Sequence, residues 1–133
     1  MTARIPAAVR RAIVAHAKRE QPNECCGLLL GRGTAVQFAL PMANALASPT
    51  RYRISDAAHI ECRRWLRDFA PTLSIVGVYH SHPEGAAEPS PRDLAEAMYP
   101  EWLYAIVGLA KKAPVFRVFR IARGRARKVS LKV

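Results

Sequence analysis

The order of apolar patterns along this sequence predicts an α/β fold of the α+β kind, a mixed β-sheet flanked by helices. Three observations carry that expectation. Two segments repeat apolar residues at three- and four-residue spacing, short runs rich in β-branched residues alternate with them, and glycines and prolines punctuate the joins. No glycine-rich phosphate loop follows a strand, which excludes a doubly wound nucleotide fold. With 133 residues, half of them hydrophobic and 23% charged, residues 1–133 are read as one domain with one core.

The elements follow in chain order. Between Pro6 and Glu20, Val9, Ile13, Val14 and Ala17 recur with Arg and Lys between them, and Pro6 suits a first helical turn. After a QPN turn, CCGLLLG and AVQFAL are apolar runs separated by Gly31 to Gly33, the pattern of a hairpin with Glu24 at its entrance. MANALASPT reads as a loop and RYRI as a short strand. Ser55 to Phe69 reads as a second helix with Ile60, Trp65, Leu66 and Phe69 on its inner side, stopped by Pro71. LSIVGVYH is a buried central strand, a polar loop runs to Pro89, and Ser90 opens a short third helix through Met98. WLYAIVGL, PVFRVFRI and RKVSLKV complete the sheet, the last two alternating apolar with basic residues.

Charge and cysteine usage narrow the function classes. Lys and Arg outnumber Asp and Glu by 21 to 10, and positions 111–133 carry nine basic residues and no acidic one. Such an end is either a solvated, aggregation-resistant strand edge or a surface for an acidic partner, protein or nucleic acid, and charge alone does not choose. No apolar stretch reaches the roughly 18 residues of a membrane span and the start lacks a secretory run, so no membrane association and a cytoplasmic location are expected. Cys25, Cys26 and Cys62 are odd in number and two are adjacent, which argues for reduced thiols rather than a disulfide framework. Without CxxC spacing they make no second metal site and read as small buried hydrophobes.

The chemistry gathers around two histidines. His80 and His82 lie two apart at the end of the central strand, and side chains at i and i+2 leave the same face, so both imidazoles reach one point. A catalytic zinc site adds one further protein ligand and keeps a position for water, and Asp93, eleven residues on, is the natural third. Ser90-Pro91-Arg92-Asp93 reads equally well as a helix start, with Ser as cap, Pro at the first position and an acid in the first turn. Spacing leaves both readings open. His16 and His59 fall in helices and are expected at the surface or the core edge.

His80-Ser81-His82-Pro83, six residues, Ser90, two residues and Asp93, with Glu24 upstream in NECCGLLLG, resembles the zinc motif of the JAMM metallopeptidases, also called the MPN-plus or Mov34 family. The motif spans Glu24 to Asp93. The resemblance implies a JAB1/MPN-like, cytidine-deaminase-like architecture and a zinc ion held by His80, His82 and Asp93, with water as fourth ligand. In that scheme Glu24 takes the water's proton and returns it to the leaving amine, and Ser90 donates its hydroxyl to the oxyanion. Ser81 should point away from the histidines, and Pro83 should shape the turn. The implied activity is a metallopeptidase or isopeptidase acting on the C-terminal tail of a ubiquitin-like protein, of which a sulfur carrier fits a compact bacterial member. That tail would add to a sheet edge beside the cleft. A RadC-like, nucleic-acid-associated protein with a related HxHP motif is the alternative, not favoured for want of an aromatic stacking surface or a helix-turn-helix signature. A non-catalytic MPN scaffold ranks last, because every motif position is filled.

Overall fold

The structure, a computed structural model, describes residues 1–132. Its elements run β1 (Thr2–Arg4), α1 (Ala7–Glu20), β2 (Cys26–Arg32), β3 (Ala35–Met42), α2 (Asp56–Phe69), β4 (Ser74–His82), α3 (Pro91–Glu96), β5 (Leu103–Gly108), β6 (Val115–Ala122) and β7 (Arg125–Lys132). Both long helices, the hairpin, the central strand and the three C-terminal strands fall where the patterns predict. Val133, the end of the last predicted strand, lies outside the described residues. Gly33, at φ +57°, supplies the left-handed residue that the tight β2–β3 turn needs.

Turn length decides strand direction. The short turn makes β2 and β3 antiparallel, whereas β4 and β5, joined through α3, run parallel. One strand escapes the sequence reading. β1 is only three residues long, too short to display alternation, yet it pairs parallel with β7 over three positions and with β3 at Arg4 and Ala35. The order β1-β3-β2-β4-β5-β6-β7 thereby closes into a barrel. Around the histidine end of β4, strands β2, β4 and β5 are each paired on both sides, so no free edge of theirs remains for an added strand.

Successive residues of β2 and β4 face opposite sides of the sheet, and both sides are covered. Ile13 and Ala17 of α1 pack on one face with Leu29, Tyr79 and Leu103, while Leu66 of α2 packs on the other with Leu28, Val78 and Ile106. Burial on two faces is why CCGLLLG shows no alternation. Among the described residues, no helix is long and apolar enough to cross a membrane.

Three local expectations are corrected. The inner stripe of α2 is Cys62 and Leu66, whereas Ile60, Trp65 and Phe69 are 53%, 53% and 73% exposed. At 100° per residue Ile60 sits roughly 160° around the helix from Cys62, and Phe69 runs past the packed stretch. Trp65 instead borders a shallow apolar groove with Phe38 and Leu40 of β3. RYRI is extended but unpaired as a strand. Two of its backbone groups are taken by one side chain, Asn44 Nδ2 donating to Arg51 O and Asn44 Oδ1 accepting from Arg53 N–H, and Arg53 O accepts from Ala45 N–H, contacts that stand in place of a ladder. Finally, α3 stops at Glu96 rather than Met98. The Tyr104 hydroxyl takes up both backbone groups of Tyr99, and Pro100 disfavours helical geometry at the residue before it.

The assignment of the α2 face has a direct test. Leu66→Ala should cost about 3 kcal/mol in chemical denaturation. Ile60→Ala should cost under about 1 kcal/mol, being an exposed substitution. Equal losses would contradict the packing described.

Candidate metal centre

The β2–β4 ladder sets the site. Cys26 pairs with His80, and Ser81 N–H donates to Cys25 O at 3.2 Å, extending the register one residue beyond β2. Glu24, two residues before Cys26, therefore shares the face of His80 and lies level with His82. Ser81 points the other way, as expected. It is fully buried, and its Oγ accepts the Cys25 N–H at 2.8 Å, fastening the stretch that carries Glu24 to the strand that carries the histidines.

The loop after β4 orients His82. Its Nδ1 lies 2.8 Å from Ala86 O, and donation there fixes the tautomer that turns the Nε2 lone pair inward. That approach depends on Gly108, because a Cβ at this position would stand 2.5 Å from Ala87 N and 2.8 Å from the carbonyl carbon of Ala86. The loop ends in the helix start of α3. Ser90 Oγ accepts the Asp93 N–H at 3.0 Å and Asp93 Oδ2 accepts the Ser90 N–H at 2.9 Å, a complete capping box.

Asp93 Oδ2 then faces both imidazoles. It is 3.1 Å from His80 Nε2 and 3.0 Å from His82 Nε2, and the two Nε2 atoms are 3.2 Å apart. A tetrahedral ion bonded at 2.0–2.1 Å spaces its ligand atoms by about 3.3 Å, so the triangle has the dimensions of three such ligands. Two inward lone pairs at this separation repel unless a proton or a cation lies between them. Among the described residues, His80, His82 and Asp93 are the one His/Cys/Asp/Glu group able to hold a metal ion.

Electrostatics follow from burial. Burial pushes the Asp93 carboxyl up, but its bonds with His80 and His82 outweigh that and hold it well below the usual carboxylate range. Burial lowers the His80 pKa, against the opposing pull of Asp93. Burial lowers His82 too, yet its bonds with Asp93 and Ala86 leave it raised. Glu24 is 4% exposed, and its Oε1 has no hydrogen-bond partner. Its pKa is raised to about 7, chiefly by burial, with His82 and Arg92 pulling down and Asp93 pushing up. A carboxyl so placed can take and return a proton near neutrality.

All five residues singled out from the sequence therefore meet in one place: His80, His82 and Asp93 in contact, Ser90 tied to Asp93, and Glu24 on the same face. The two readings of Ser90 and Asp93 turn out to be compatible, since the capping atoms are also the site atoms. A cleft of about 740 Å³, lined by Tyr52, His59, Arg92, Tyr99 and Trp102, opens beside Asp93. Sequence reading missed Tyr52, whose ring stacks on His80 at 4.4 Å between centroids and 21° between planes. Asn44 within a loop was its only signal, an amide that replaces backbone partners. His16 is buried deeper than expected, its Nδ1 2.8 Å from the Tyr79 hydroxyl, whereas half-buried His59 accepts from Arg63 Nε at 3.0 Å. The thiols are free and buried as expected, and burial pushes Cys25 up to about 11 and Cys26 to about 12.

Residues 6–122 match the family described as prokaryotic homologs of the JAB domain. The chain belongs to that family. It is 38% identical over 98 residues to the CysO-cysteine peptidase of Mycobacterium tuberculosis, covering 72% of this chain and 66% of that protein. It is also 38% identical over 96 residues, 71% of this chain and 63% of the other, to a Thermus thermophilus protease named for cleaving TtuB-protein conjugates. The chain thus spans about two thirds of the length of these two relatives. Among solved structures, the Desulfitobacterium hafniense protein DSY2949 superposes with a TM-score of 0.86 at 28% identity, over 99% of this chain and 92% of that one. A JAB1/MPN domain protein from Archaeoglobus fulgidus superposes with a TM-score of 0.61 at 16% identity, over 98% of both chains, and agrees in fold. The JAB1/MPN-like architecture expected from the motif is the one observed.

Glu24 sets a pH dependence on stability when metal is stripped. It holds its proton in the fold up to about pH 7 but releases it near 4.5, its ordinary value, once unfolded. Its contribution is full below pH 4.5 and is lost as pH rises through 7. In EDTA-treated protein, the stability of wild type relative to Glu24→Gln should fall across that window by on the order of 2 kcal/mol. A flat difference in denaturation midpoints would refute the burial of an uncharged Glu24.

Proposed function

We propose that residues 1–133 act as a single zinc metallopeptidase domain, a peptidase or isopeptidase that hydrolyses the bond at the C-terminal tail of a ubiquitin-like protein of the sulfur carrier kind. The observation that carries this is the convergence of His80 Nε2, His82 Nε2 and Asp93 Oδ2 within 3.0–3.2 Å of one another, beside a buried Glu24 carboxyl with an unpartnered oxygen. Two imidazoles and one carboxylate are a catalytic ligand set for zinc, three protein donors with one position left over. A bound zinc ion supplies Lewis acidity and brings the pKa of water to about 7.

The chain's own groups do the rest. Glu24 accepts a proton from the attacking water and delivers it to the leaving nitrogen, a round trip suited to a carboxyl poised near neutrality. Ser90 spends its oxygen lone pair on the Asp93 N–H, which leaves its hydroxyl hydrogen free for the carbonyl oxygen as negative charge grows there. The names of the Mycobacterium and Thermus relatives, a CysO-cysteine peptidase and a TtuB-conjugate protease, support the carrier class. A net charge of +11 favours encounter with an acidic partner. The extended tail docks in the cleft beside Asp93, because the strands around the centre offer no free edge.

Purified protein stripped of metal should take up one equivalent of zinc. On a carrier protein extended at its Gly-Gly end by a short peptide, Glu24→Gln should lose at least about a hundredfold in kcat while retaining zinc. Double replacement of His80 and His82 by Ala should remove metal and activity together. Wild-type turnover by Glu24→Gln, or its failure to hold zinc, would overturn these roles.

A further inference from the structure

One side chain outside the motif touches both halves of the centre. Asn44 uses its whole hydrogen-bonding capacity: Nδ2 donates to Glu24 O at 3.1 Å and to Arg51 O at 2.9 Å, while Oδ1 accepts from Leu46 N–H and Arg53 N–H, both at 3.1 Å. Glu24 precedes β2, so the ladder does not hold its peptide groups. Its C=O is held by Asn44 and its N–H by Ser48 O at 2.9 Å. Tyr52 is gripped from both sides, through the carbonyl of the residue before it and the N–H of the residue after it. Arg53 O also accepts from Ala45 N–H at 2.9 Å, which doubles the fastening. The Tyr52 ring is thereby presented flat against His80, whose own Nδ1 is buried without a hydrogen-bond partner. Beyond Asp93 and His82 at its Nε2, the His80 ring is thus held by stacking on Tyr52, in contrast to His82, whose Nδ1 is oriented by Ala86 O.

We infer that Asn44 and Tyr52 are positioning residues for the metal centre: Asn44 clamps the backbone of Glu24 and aims Tyr52, and the Tyr52 ring orients the His80 imidazole toward the ligand point. This rests on the reading of His80 as a zinc ligand and Glu24 as the proton carrier. Its consequence is specific. Loosening the 43–54 segment should degrade metal retention and turnover together, without any change in a ligand or in the base.

The test uses three variants of the zinc-loaded protein, checked for fold by circular dichroism and melting temperature. Asn44→Asp keeps the acceptor toward Leu46 and Arg53 but places oxygen against the carbonyls of Glu24 and Arg51. Tyr52→Leu removes the stacking face, and Tyr52→Phe restores it. Zinc release into a chromogenic chelator should accelerate about tenfold in Tyr52→Leu and in Asn44→Asp, and stay within about twofold of wild type in Tyr52→Phe. On a cleavable carrier fusion, Asn44→Asp should lower kcat about tenfold or more with KM within about twofold, the pattern of a misplaced proton carrier rather than of lost binding. Wild-type zinc release in both Asn44→Asp and Tyr52→Leu sinks the inference, as does equal loss in Tyr52→Leu and Tyr52→Phe. If Asn44→Asp does not fold, the Tyr52 pair decides alone. Should wild type cleave no carrier fusion while the release rates move as expected, the peptidase reading fails and the clamp stands.

Discussion

A single oxygen, Asp93 Oδ2, carries the constraint on which the site depends. It accepts the N–H of Ser90, completing the helix start, and it faces the Nε2 atoms of both histidines. A capping interaction of the ordinary kind is worth on the order of 1 kcal/mol. Here it also fixes where that oxygen stands relative to the histidines of β4, across the loop that joins β4 to α3. The helix start and the His–His–Asp triangle cannot be varied separately, because they share this atom.

The sheet supplies the complementary constraint. Period-two alternation sorts β4 into a site face and a core face, so His80 and His82 turn toward Asp93 while Tyr79 and Ser81 are buried against β2 and α1. Ser81 shows how the two faces cooperate. By accepting the Cys25 N–H from the core side, it holds the residue adjacent to Glu24 on the site side. The loop residues then complete what ladders cannot reach: Ala86 for His82, and Asn44 for Glu24 and Tyr52.

What was legible in the sequence is what local rules encode. The His-x-His spacing, the Ser-Pro-Arg-Asp helix start and the apolar runs each follow from one element's periodicity, and each stands in the structure. The misses share a different cause. β1 is a strand by virtue of β7 and β3, not of its own pattern; the RYRI segment looks strand-like in composition but is held by the Asn44 side chain of the preceding loop; and the apolar width of α2 exceeds what the sheet beneath it covers. In all three, the deciding partner lies outside the element itself. Tyr52 was hidden for the same reason, since nothing in RYRI records that His80 lies across from it.

The buried thiols bear on how exchangeable a bound ion would be. Cys26 is the ladder partner of His80 and projects to the same face, and thiolate is a softer and stronger donor for zinc than carboxylate or water. Burial holds its proton up to about pH 12, and its sulfur sits 3.7 Å from Ala43 O and 3.8 Å from Met42 O, turned toward backbone acceptors. Among the described residues the ligand atoms that converge are those of His80, His82 and Asp93, and the Cys26 sulfur stands outside that group. A metal ion held there would have three protein donors, the open arrangement that leaves a position for water or substrate, rather than the closed kind that staples a fold.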